Sequence, residues 1–493
     1  MLSTWIFLIV TSTVPVLSYN PRTPVTALSA SANQGVLTSA QHRGSNISWF
    51  DCPDHDKTLC AFFDVPRNYS NLSNTDTVSI FIRRLPARVP VEERLGSILV
   101  NPGGPGGSGG NFVAFAGEWL STLVDGKYDI LGFDPRGTNL TGPWTTCFKS
   151  EAEPMRVQLQ LESLGVPYRG LDFAQDRALV KDISALQATH NAACLKNGNR
   201  KMLESTGTVS VVRDIVRIVE ALGEDGINYW GCSYGTVLGA TLAAMRPDLI
   251  RRMVLDGVAN AEAWFNDIWQ WGLDGMQDTH KTLTGFLSTC AEAGPEFCAF
   301  AVPPGTSNVT QTTETLRNRL DMMFVRLVEH PVVVLDPPVG PGIFTAANLQ
   351  KLLLPLLYKP HTWRGLMQIL TSLEQGDATP AYTALYAPYM DIKPRPYDHN
   401  VFNALCSIIS YPEIAIFCSL CGCSCDKFSL DAYTRIMGRI SPTGENWAKV
   451  VGGCNGWSFR ASERYTGPWT VEAGLNRTRW RPYHASVDRG QDV

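Results

Sequence analysis

Five residues, Gly231-Cys232-Ser233-Tyr234-Gly235, constrain this chain more than any other feature. They stand between residues 227–230, a short apolar run of strand character, and residues 236–245, rich in Gly and Ala and helical in pattern. A serine between strand and helix, with a glycine two before and two after, predicts a sharp turn that holds its hydroxyl outward while the two elements pack closely behind it. Gly239 and Ala240 continue the small-residue face. A serine hydroxyl becomes a nucleophile only when a base takes its proton and fixed donors meet the developing oxyanion. The turn therefore predicts Ser233 as nucleophile and directs attention to a second loop.

That loop is Asn101-Pro102-Gly103-Gly104-Pro105-Gly106-Gly107-Ser108-Gly109, directly after the apolar run 97–100. It lacks the lysine of a phosphate-binding loop and the spacing of a dinucleotide site. The remaining reading is an oxyanion loop, with the backbone N–H groups of Gly104 and Tyr234 aimed at a substrate carbonyl oxygen. Strands are predicted at 59–65, 78–85, 97–100 and 128–133, the last closed by the turn Asp134-Pro135-Arg136-Gly137, in which Asp134 and Arg136 are expected to form a structural pair with loop amides. A helix is predicted over 210–222, where Val211, Val212, Ile215, Val216, Ile218, Val219 and Leu222 share one face, and Gly223 stops it. A further strand at 253–255 ends in Asp256-Gly257. Strand and helix in alternation predict an α/β chain with a mostly parallel sheet and crossover helices. From residue 260 to 457 the pattern turns to long helices carrying Trp264, Trp269, Trp271 and Trp363, which reads as a helical cap inserted after the strand ending at Leu255; 302–313 and 336–341 are its internal connections.

The two glycine motifs, with Gly132-Phe133-Asp134-Pro135-Arg136-Gly137 between them and Met253-Val254-Leu255-Asp256-Gly257 after, resemble the tripeptidyl aminopeptidase-like branch of the proline iminopeptidase family, which has the α/β-hydrolase fold. The resemblance runs over 52–469 and is weak over 407–425. It implies a secreted serine exopeptidase that removes residues from peptide N-termini under a helical cap, with a small peptide as partner and no cofactor or metal. It also implies an acid and then a histidine on two last strands after the cap. The 24 residues beyond Trp469 carry no strand-Asp turn and no Gly-His pair. The expected layout is a signal at 1–18, the first part of the hydrolase core at 19–259, the cap at 260–457 and a C-terminal remnant of the core at 458–493, with the final strands missing or altered. On that reading the chain as written would be a weak catalyst.

Two residues remain as candidates for the base and acid. His484 is the one histidine after the cap; Asp256 ends a central strand, although a turn-forming role is the ordinary one there. His42, His55, His190, His280, His330 and His361 lie in lead-in, loop or cap contexts. His399 follows Asp398, and neighbouring side chains on an extended segment point opposite ways.

Export is predicted from an apolar stretch at 5–10 followed by a small-residue exit at 16–18. Sequons at Asn46, Asn68, Asn71, Asn139, Asn308 and Asn476 fit the same route. Thirteen cysteines in an exported chain predict disulfides, with Cys52–Cys60 and Cys290–Cys298 the simplest pairs, Cys406–Cys454 plausible and Cys232 left free. The thiol-dense run 418–425 lacks a second matched ligand pair, so it reads as an insertion rather than a zinc site. A net charge of −4 on 493 residues gives no reason to expect nucleic acid or an anionic membrane as partner. An ester hydrolase of the same fold and a non-catalytic hydrolase-like binding protein are the competing readings.

Overall fold

The computed structural model describes residues 47–73, 75–145, 147–150, 152–167, 173–303, 305–306, 311–390, 430–452, 461–465 and 467–469. A two-residue strand with no predicted counterpart, β1 (Phe50–Asp51), comes first; apolar runs then become strands where expected: β2 (Leu59–Pro66), β3 (Thr77–Leu85), β4 (Ser97–Asn101), β5 (Asp129–Phe133), β6 (Ile227–Cys232) and β7 (Ile250–Asp256). They form one sheet in the order β1-β2-β3-β5-β4-β6-β7. The pairs β1–β2, β2–β3 and β3–β5 are antiparallel, and β5–β4, β4–β6 and β6–β7 are parallel. Among the described residues β7 is the sheet's last strand, and its Val254 is 46% exposed.

The inner strands read as continuous apolar runs because both faces are covered. Ile98, Val100 and Ile130 meet Val113, Ala116 and Leu120 of α1 (Gly109–Leu123). Their neighbours Leu99 and Leu131 point the other way, to Val212, Ile215 and Val219 of α4 (Thr208–Leu222) and Leu238 and Leu242 of α5 (Tyr234–Met245). Gly223, at φ 73°, ends α4 in the left-handed cap its position predicts. With helices on both faces of a mixed sheet whose strands β5, β4, β6 and β7 run parallel, the chain has the α/β-hydrolase fold.

After β7 come α6 (Ala261–Asn266), α7 (Ile268–Met276), α8 (Thr279–Phe297), α9 (Thr313–Glu329), a hairpin of β8 (Val332–Val334) and β9 (Gly342–Phe344), then α10 (Ala346–Leu357), α11 (Trp363–Glu374), α12 (Thr379–Met390), α13 (Leu430–Ile440) and α14 (Gly444–Gly452). The proline-rich stretch 336–341 is the hairpin's connection. Two earlier helices, α2 (Ala152–Leu164) and α3 (Phe173–Asn197), pack against this group: Gln187 Nε2 donates to Lys449 O at 2.7 Å, and Lys351 pairs with Glu162. Helical material therefore comes from both sides of the serine turn, a feature periodicity does not flag because the apolar residues of α3 are spread around its surface.

Disulfides Cys52–Cys60 and Cys290–Cys298 form as expected, and Cys232 is free. A third, Cys147–Cys194, ties α3 to the segment before α2 and has no sequence signal. Cys406, Cys454 and the run 418–425 lie outside the described residues. No helix among the described residues is long and apolar enough to cross a membrane.

Candidate active site

Ser233 joins β6 to α5 at φ 54° and ψ −124°, a conformation costly for any residue with a Cβ. It occupies the N-cap of α5, where a serine oxygen ordinarily accepts a helix amide; here the side chain makes no such bond. The backbone of the turn is fixed instead. Ser233 N donates to Asp256 O at 3.0 Å, and Ser233 O accepts from Thr236 N at 2.8 Å and Thr236 Oγ1 at 2.6 Å. The flanking glycines are required by contact. A Cβ on Gly231 would stand 2.2 Å from Gly235 O, one on Gly235 would stand 2.6 Å from Asn101 O, and one on Gly239 would stand 2.6 Å from Leu255 Cδ2.

The glycine loop lies against this turn. Gly103, at φ +92°, has no room for a side chain, since its Cβ would be 2.4 Å from Cys232 O and 2.9 Å from Tyr234 N. Sequence reasoning named Gly104 and overlooked Gly103 as the point of closest approach, although the run of adjacent glycines was the available signal. The Gly103 N–H is engaged by Asn101 Oδ1 at 2.9 Å. Among the described residues, the N–H groups of Gly104 and Tyr234 have no acceptor. The Tyr234 N–H also opens α5, where the unpaired amides and the helix dipole favour negative charge.

Asp134 anchors the loop from below. Its buried carboxylate accepts from Ser108 Oγ at 2.5 Å, Gly110 N at 3.1 Å, Asn139 Nδ2 at 2.8 Å and Leu140 N at 3.2 Å. Burial pushes this carboxyl upward against the pull of those donors. The expected pairing of Asp134 with Arg136 is incorrect in one respect: Arg136 faces away and forms a two-pronged bond, 2.7 Å on each arm, with Asp214 of α4. Residues two apart on this turn serve different elements, and a partner 78 positions along the chain leaves no local signal.

Asp256 ends β7 opposite Cys232, beside the turn, and burial raises its carboxyl. The neighbouring Cys232 thiol is pushed up to about 12, by burial first and then by Asp256, so it stays protonated and does not compete as a nucleophile. His484 lies outside the described residues, as do His42 and His399. Sequence reasoning counted tryptophans after residue 260 without placing them. Trp264 sits 5.1 Å from the Tyr234 ring, Trp271 4.9 Å from Trp264, and Trp447 5.6 Å from Trp271, forming an aromatic series that starts at the serine turn. Indole N–H groups of Trp264 and Trp447 are buried without partners. Of residues 461–465 and 467–469, Glu463 pairs with Arg213 of α4 at 2.7 Å and the Trp469 ring lies 5.4 Å from that of Phe265 in α6. One group of metal-ligating type exists among the described residues, Cys147, His190 and Cys194, but its two sulfurs are joined as a disulfide.

A family model described as alpha/beta hydrolase fold matches residues 96–293. Serine protease Hip1 of Mycobacterium tuberculosis is 26% identical over 353 residues, covering 70% of this chain and 63% of its own length. Tripeptidyl aminopeptidase of Streptomyces lividans is 31% identical over 237 residues, covering 46% and 41%. Carboxylesterase B of M. tuberculosis is 29% identical over 321 residues, covering 64% and 55%. The chain thus spans less than two thirds of the length of each of these relatives.

Proposed function

We propose that this protein is a secreted serine exopeptidase that hydrolyses peptide bonds near the N-terminus of oligopeptides. The observation that carries the reading is the uncapped, left-handed Ser233 together with the N–H groups of Gly104 and Tyr234, which have no acceptor among the described residues. In the proposed reaction Ser233 Oγ attacks the scissile carbonyl carbon while a base takes the hydroxyl proton. The carbonyl oxygen becomes an oxyanion between the two N–H groups, and its collapse expels the amine, which receives the proton. Water then attacks the acyl-enzyme ester by the same route, releasing the acid and restoring Ser233. His484 is the proposed base and Asp256 the proposed acid. No cofactor enters these steps.

Relatives named as a serine protease and as a tripeptidyl aminopeptidase support a peptide substrate. The relative named as a carboxylesterase favours a second reading, an ester hydrolase using the same serine. Paired assays on peptide anilides with free N-termini and on short acyl esters separate the two. The proposal expects anilide release that is lost when the peptide N-terminus is blocked; ester-only turnover would sink the peptidase reading and leave Ser233 standing.

A further inference from the structure

A cavity of about 530 Å³ opens among α3, α8, α9 and α13, and none of its lining residues belongs to the serine turn or to residues 101–109. Its charged lining is Arg317, Arg435, Arg439, His280, Asp431 and Glu445. The two carboxylates are already engaged. Asp431 pairs with Arg435 one helical turn away, and Glu445 Oε2 accepts from Gln350 Nε2 at 3.3 Å. Two guanidinium groups are left. Arg317 of α9 has a buried Nη1 with no hydrogen-bond partner, and among the described residues neither Arg317 nor Arg439 has an ion-pair partner. A guanidinium N–H buried without an acceptor is costly, which is the condition a bound anion relieves.

From this we infer that the cavity is a binding site for a small oxyanion, a carboxylate or a phosphate, held by the planar fork of Arg317 with Arg439 as the second donor. Arg presents parallel N–H groups that match either anion in pairs. His280, in the first turn of α8, also lines the cavity and offers a ring N–H donor. The volume falls within the range of small-molecule sites and exceeds what one inorganic anion fills, so the natural ligand is an organic acid or phosphate ester. The inference does not depend on the role of Ser233.

The experiment is calorimetric titration of the full chain with inorganic phosphate and, separately, with succinate, in chloride buffer of matched ionic strength. Saturable one-to-one binding of at least one is expected. Phosphate alone identifies a phosphate ligand, and succinate alone a carboxylate. Arg317→Gln is expected to weaken binding about tenfold or more, Arg439→Gln to weaken it less, and Ser233→Ala to leave it unchanged. Arg317→Lys, which keeps the charge and loses the fork, should fall between wild type and Arg317→Gln and serves if the glutamine variant does not fold. Absence of saturable binding by the folded wild type, or wild-type affinity in a folded Arg317→Gln variant, would overturn the inference.

Discussion

A serine held at positive φ, whose oxygen makes no capping bond to the helix it begins, is a position at which local energy has been sacrificed and the surrounding contacts hold the geometry. Ser233→Ala should therefore leave the unfolding free energy within about 0.5 kcal/mol of wild type while abolishing hydrolysis; undiminished turnover in that variant would remove Ser233 from the chemistry. Gly103 should be less tolerant than Gly104. A methyl on Gly103 meets the Cys232 carbonyl and the Tyr234 amide, whereas one on Gly104 meets only the loop's own amides at 3.0 Å. Gly103→Ala is predicted to cost roughly 1–3 kcal/mol and to slow acylation by displacing the Tyr234 N–H. Denaturant titration together with single-turnover kinetics checks both effects, and a Gly103→Ala protein as stable and fast as wild type contradicts this placement of the loop. The placement of Ser233 and Tyr234 between a strand and a helix was legible in sequence because a G-x-S-x-G turn encodes its own geometry. Gly103 was hidden among equivalent neighbours, and the Arg136–Asp214 pair was invisible because it joins a turn to a helix far along the chain.

Between elements, the Cys147–Cys194 bridge closes a separation of 47 residues and is fully buried. Chain-entropy reasoning gives such a loop about 4 kcal/mol, so the double replacement Cys147→Ala/Cys194→Ala should destabilise the protein by about 2–4 kcal/mol without altering Ser233 chemistry. Beside it, His190 packs edge-on against Phe148 at 5.3 Å, and burial lowers its imidazole from 6.5 to about 4. The folded state thus holds a neutral ring that the unfolded state protonates more readily. Its contribution is complete above pH 6.5 and is lost as pH falls toward about 4, by up to about 2 kcal/mol once partial exposure is allowed for. Urea midpoints at pH 7 and pH 4.5 should differ less in His190→Gln than in wild type; an equal difference contradicts the assignment. Strands β2 to β7 and α4 were legible because strict periodicity or continuous apolar runs mark elements that face a core, whereas β1, β8 and β9, of two or three residues each, are too short to carry a pattern. By contrast α2, α3 and their disulfide escaped, since α3 distributes its apolar residues among several neighbours instead of along one stripe.

At the scale of the whole molecule, a sheet carries the serine turn at the end of β6, and aromatic side chains from α6, α7 and α14 lead away from it. Trp264, 1% exposed, is packed in the core between the serine turn and the helices, so Trp264→Ala is predicted to destabilise the protein by about 3–5 kcal/mol; a denaturant titration that finds wild-type stability in this variant would contradict that packing. The most direct measurement of the central claim is mass mapping of the full chain after reaction with a serine-directed phosphonate, with and without prior unfolding. The account predicts one phosphonyl group, on Ser233, in the folded protein and none in the unfolded protein or in Ser233→Ala. Labelling of a different residue, or a folded wild-type protein that takes no label, would contradict it.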